Sequence, residues 1–177
     1  MESDSPAIAE AIVVHAEKLA EREDHIWDII SRLMVPVEHL TDSREQSKVD
    51  YHTEPLVRAF LYQKVKGFSQ NQLADRLENR PILVKTCGFD VQKLGEAPGQ
   101  GTINHAWHKF SDGTKLIIEA VATGIARVAV EKSVIAESLV ATDPADDEDT
   151  EESKQEAHRQ KTTKTVKLAA KHAFPEF

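Results

Sequence analysis

At 177 residues, 40% of them hydrophobic, the chain can bury a core and amounts to one domain of ordinary size plus tails. The single cysteine, Cys87, excludes an internal disulfide and fits a reducing compartment. No apolar run approaches the roughly 20 residues that span a bilayer, and the acidic N-terminus is unlike a signal peptide. A cytoplasmic protein with no membrane contact is therefore expected.

The net charge of −8 is unevenly spread. Residues 1–50 hold five Lys/Arg against twelve Asp/Glu, whereas residues 51–115 hold nine against six. Residues 141–160 are again acidic, at −6, and residues 161–177 carry +3. Binding to a polyanion needs local positive charge, so the basic island at 51–115 keeps nucleic acid open as a partner.

In chain order, Ser5 and Pro6 read as a cap and a first-turn proline opening a helix over Ala7 to Arg22. Ile8, Ile12 and Leu19 form its apolar side. A second helix is expected from Asp24 to Leu33, with Ile26, Ile30 and Leu33 inward, Trp27 adjacent, and Pro36 as its stop. Residues 1–47 thus read as an acidic helical arm that packs on the next domain, with a docking surface for a second protomer, a homodimer, as the alternative. The polar stretch Thr41 to Val49 reads as a linker and a boundary.

Residues 48–140 read as a helix-turn-helix-like domain. Leu56, Val57, Phe60, Leu61 and Val65 mark a helix opened by Glu54 and Pro55. Gly67 supplies a turn, and Ser69 with Gln72 makes a capping box for a helix whose inner side is Leu73, Ala74 and Leu77. Helix, glycine turn, helix is the first half of a helix-turn-helix. A short helix from Pro81 to about Cys87 then intervenes, so the motif is expected to be interrupted. Its last helix is Thr102 to Phe110, with Thr102 as the cap. Ile103, Ala106, Trp107 and Phe110 fall at i, i+3, i+4, i+7 and share one face. Asn104, His105, His108 and Lys109 take the opposite face, which is polar, weakly basic and free of acids, the build of a helix that enters the DNA major groove.

After the turn at Ser111 to Gly113, Thr114 to about Val140 reads as one long helix with Ile117, Val121, Ile125, Val128, Ile135 and Leu139 inward and Lys132 interrupting the stripe. The β-branched Val128 and Val130 also suit a strand. Residues 141–160 form an acidic linker whose core, 142–156, lacks large apolar side chains and is expected to be disordered. Lys161, Lys164, Lys167 and Lys171 then recur at helical spacing in a basic segment, 161–177. The expected fold is all-α, a helical bundle with tails.

The DNA-facing set is Lys64, Lys66, Ser69, Gln70, Arg76, Arg80, Gln100, Thr102, Asn104, His105, His108 and Lys109. For Lys64, Lys66, Arg76 and Arg80 the functional reading is phosphate contact, which positions without reading sequence. The plain alternative is ordinary solvated charge. His105 and His108, at i, i+3, have the spacing of two metal ligands, but no motif supplies a third, so no metal is assigned. Cys87 reads as a buried, inert thiol.

Three stretches carry a resemblance: Tyr51 to Ser69 (YHTEPLVRAFLYQKVKGFS), Gln72 to Leu77 (QLADRL) and Pro98 to Ile103 (PGQGTI). Together they resemble the N-terminal domain of insertion-sequence transposases, over about residues 48–140. The resemblance implies binding of double-stranded DNA at the ends of the element. It also implies a following DDE catalytic domain of ribonuclease-H fold, in which acids clamp two Mg²⁺ or Mn²⁺ ions about 3.5–4 Å apart. The acids after residue 140 lie in the stretch expected to be disordered, so no catalytic residue and no cofactor is assigned to this chain, which reads as the DNA-binding part alone. A stand-alone helix-turn-helix regulator and a non-catalytic interaction module are the alternatives.

Overall fold

The computed structural model describes residues 4–23 and 25–132. Among them the fold is all-α: α1 (Ser5–Ala20), α2 (Ile26–Arg32), a 3₁₀ turn (Val37–His39), α3 (Thr53–Lys66), α4 (Gln70–Asn79), α5 (Pro81–Cys87), α6 (Val91–Leu94), α7 (Gln100–Lys109) and α8 (Asp112–Glu131). The acidic linker, the basic C-terminal segment and the expected continuation of the last helix beyond Lys132 lie outside the described residues.

The spacing of apolar side chains explains the helices. Ile12, Val13, Ala16 and Leu19 are buried along α1, and Leu56, Val57, Phe60, Leu61 and Val65 along α3. In α8, Ile117, Val121, Ile125 and Val128 are buried as their stripe predicts, and Val128 to Val130 is helix, not strand. Tertiary burial here overrides the weak strand preference of β-branched residues. Ends differ in detail. Asp4, not Ser5, holds the cap position of α1, and no side chain caps it; Pro6 lacks an N–H, so the first turn has one donor fewer to satisfy.

One core joins the α-helices α1 to α8. α8 is its spine, with α1 on one flank and α3 on another, while α4 packs on α7 and α2 on α5. α1 and α8 run in the same direction, since Ser5 lies beside Gly113 and Val13 beside Gly124. The approach at Gly124 is close: a Cβ there would sit 2.3 Å from Val13 Cγ2. Glycine is what lets the two helix backbones meet.

The polar stretch read as a linker, Thr41 to Val49, is bonded to the core at its start. Asp42 forms an antiparallel bridge with Phe110, Ser43 N donates to Lys109 O at 3.0 Å, and Ser111 N donates to Thr41 O at 3.0 Å. Thr114 Oγ1 donates to Thr41 O and accepts from Thr41 N. The polarity of this stretch serves hydrogen bonding to the α7–α8 joint, whose backbone groups need partners once helix pairing stops. The arm formed by α1 and α2 is thus continuous with the core it packs on.

Candidate nucleic-acid interface

α7 is rooted as its periodicity requires. Ile103 and Ala106 are fully buried, Phe110 nearly so, and Trp107 is half-buried with its ring 4.9 Å from Phe60. Asn104, His105, His108 and Lys109 are all exposed. His108 Nδ1 lies 2.8 Å from the Asn104 carbonyl oxygen. A carbonyl only accepts, so Nδ1 is the donor of this bond.

The start of α7 corrects the expected cap. Gly99 holds the cap position and Gln100 and Gly101 are already helical, so Thr102 sits inside the first turn and caps nothing. The turn is fixed from outside the helix, because Gln100 Nε2 donates to Asn71 Oδ1 on α4. Gln100 is exposed but committed to that bond. Thr102 lines a cleft of about 930 Å³ between α4–α5 and the 89–102 segment. Glu78, Asp90 and Glu96 stand on this cleft against Lys85, so the N-terminal end of α7 faces a mainly acidic surface that repels phosphate. Tyr51 also lines it; burial, followed by the charges of Glu96 and Asp50, pushes its phenol up, while its hydroxyl donates to Glu96 O at 2.9 Å.

α4 begins as the sequence implies. Ser69 Oγ accepts from Gln72 N at 3.1 Å, and Gln72 Oε1 accepts from Ser69 N at 2.9 Å. The Ser69 hydroxyl is engaged in this cap, and Gln70 is half-buried in the first turn. α4 and α7 pack together although residues 80–99, including α5 and the unforeseen α6, separate them in sequence.

The basic residues divide. Lys66 is 7% exposed, its ammonium 6.0 Å from the Tyr62 ring, so it belongs to the core and not to a phosphate-binding surface. The reason is helical phase: residues two apart point roughly 200° apart, so Lys64 and Lys66 cannot serve one surface. Lys64 is the outward one, with Nζ 4.7 Å from the Trp107 ring and 3.3 Å from Glu119 Oε1. Arg76 stacks over Phe68 at 4.4 Å, and Arg80 is half-buried at the α4–α5 junction. Lys115, not singled out by its sequence, lies 6.0 Å from the Trp107 ring. No local motif marks it, since only the angle between α7 and α8 brings it there.

Below this surface a buried pair anchors the end of α7. Arg44 Nε donates to Asp42 Oδ1 at 3.0 Å, and Arg44 Nη1 to Tyr51 O at 2.8 Å. Thr53 Oγ1, at the start of α3, donates to Asp42 Oδ2 at 2.8 Å. Burial alone pushes the Asp42 carboxyl up, but hydrogen bonds from Arg44 and Thr53 and the Arg44 charge together hold it below the ordinary value of 3.8. The guanidinium also lies 5.9 Å from the Phe110 ring.

Among the described residues no three His, Cys, Asp or Glu side chains cluster to hold a metal ion, and no helix is long and apolar enough to cross a membrane. Cys87 is buried and free. The chain matches no protein-family model, no curated protein and no solved structure.

Proposed function

We propose that residues 51–132 bind double-stranded DNA, as the part of an insertion-sequence transposase that recognises the ends of its element, with α7 entering the major groove. The observation that carries this is the outer face of α7. Asn104, His105, His108 and Lys109 are exposed together on a helix whose opposite face is locked into the core, and no carboxylate interrupts them. Asparagine can pair bidentately with adenine, and lysine and histidine supply donors for bases or phosphates. The transposase class rests on the sequence resemblance, with which this face agrees. The acidic cleft at the N-terminal end favours contacts through the C-terminal half of α7.

The test is selection of duplex sites from a random pool, followed by binding of the selected site. Asn104→Ala is expected to erase preference at one or two base pairs, a loss of roughly 1–3 kcal/mol of discrimination, with nonspecific binding nearly intact. Selection of a palindrome bound by a dimer would favour a stand-alone regulator instead. Absence of duplex binding would remove the DNA reading altogether. If substitutions at Gln70 or Asn71 shift the selected site while Asn104→Ala and His105→Ala do not, α4 is the recognition helix.

A further inference from the structure

We infer that Lys64, Trp107 and Lys115 form a seat for the phosphodiester backbone beside α7; this rests on the DNA-binding reading above and adds Lys115 and a defined strand path to it. Three elements converge here: α3 contributes Lys64, α7 Trp107 and α8 Lys115. Both ammonium groups lie by one indole, at 4.7 Å and 6.0 Å from its ring centre. Each lysine side chain is only 26% exposed, so its methylene stem is packed and its charged head is held at the surface. Little side-chain freedom remains to be lost when an anion binds, which is the advantage of a pre-organised site.

The present partners of these lysines are exchangeable. Lys64 meets Glu119 at 3.3 Å and Lys115 meets Asp112 at 3.7 Å, and those carboxylates are 53% and 97% exposed. Such exposed pairs contribute little, and a phosphate oxygen offers each ammonium a charge-assisted bond in their place. Trp107 is the residue before His108 and one turn after Asn104, so a strand seated on it runs along the edge of the groove that the α7 face enters. The acidic cleft lies at the other end of α7, which leaves this side as the path for the backbone.

The full 177-residue chain in a Trp27→Phe background makes Trp107 the sole tryptophan, since the sequence has two. Titration with the selected duplex over a range of salt is expected to change Trp107 emission on binding. Lys115→Ala and Lys64→Ala should each weaken binding to all duplex sequences alike and reduce the slope of log K against log salt by about one. Asp112→Asn and Glu119→Gln, which remove the competing acids, should tighten binding at low salt. Lys18→Ala, on the exposed side of α1, controls for net charge. If Lys115→Ala matches Lys18→Ala while Asn104→Ala still alters the selected site, the seat is overturned and the DNA reading stands. If the chain binds no duplex, both fall.

Discussion

Replacing Gly124 with alanine tests the packing that sets the spine of the molecule. Alanine is the better helix former, so in an unconstrained helix the change stabilises by about 1 kcal/mol. Here the added Cβ would lie 2.3 Å from Val13 Cγ2, 2.9 Å from Val13 Cγ1 and 3.2 Å from Val13 Cβ. A valine in a helix has one strongly preferred χ1, so rotation cannot clear all three atoms. α1 and α8 must separate, and overpacking of this kind costs about 1–3 kcal/mol. Set against the helix gain, the expected net effect is a loss of about 0–2 kcal/mol in urea unfolding at constant m. Val13→Ala removes the obstructing methyls at a cost of about 2 kcal/mol for the two buried groups. In that background Gly124→Ala should turn stabilising by about 0.5–1 kcal/mol, the sign reversal that marks direct coupling. If Gly124→Ala stabilises the protein with Val13 intact, the helices do not meet as described and the reasoning fails.

Breaking the buried pair should be costly: Arg44→Ala leaves the Asp42 carboxylate, 4% exposed, without its cation, and about 3–5 kcal/mol of stability should be lost in denaturant melts. The pH dependence follows from the depressed Asp42 carboxyl: its contribution is fully present above its unfolded value and disappears as pH falls through the lower folded one. Asp42→Asn should therefore be less stable at neutral pH and show a shallower acid-side decline; an unchanged pH profile would contradict the pairing. Ser69→Ala should cost about 0.5–2 kcal/mol through loss of the capping box, read by thermal melting, while leaving Gln70 and α7 chemistry in place. Trp107→Ala should destabilise by several kcal/mol, about 3–5 at full burial and less here because the ring is half-exposed, and should lower affinity for all DNA sequences rather than change preference.

Much of the architecture was legible from residue spacing because helix periodicity and caps are local. The buried faces of α3, α7 and α8, the short helix from Pro81 to Cys87 and the capping box at Ser69 all follow from which side chains recur every three or four residues and which oxygens can reach an open N–H. The exposed face of α7 was legible for the same reason: fixing Ile103, Ala106 and Phe110 inward leaves Asn104, His105 and His108 outward. The start of α7 was not, because its first turn is held by Gln100 bonding to Asn71, a partner on another helix. Lys66 is buried, and its two-residue spacing from Lys64 already separates their directions.

By itself, then, the sequence determined the helices other than α6, their inner faces and the polar strip on α7, since these depend on hydrophobic period and on groups within a few residues of one another. Tertiary structure alone decided what depends on contacts between distant residues. It brought α4 against α7 across residues 80–99, turned the polar stretch at Thr41 to Arg44 into a hydrogen-bonded anchor for the α7–α8 joint, and carried Lys64 and Lys115 to one indole. It also required glycine at 124, because only the crossing of α1 on α8 leaves no room there for a side chain.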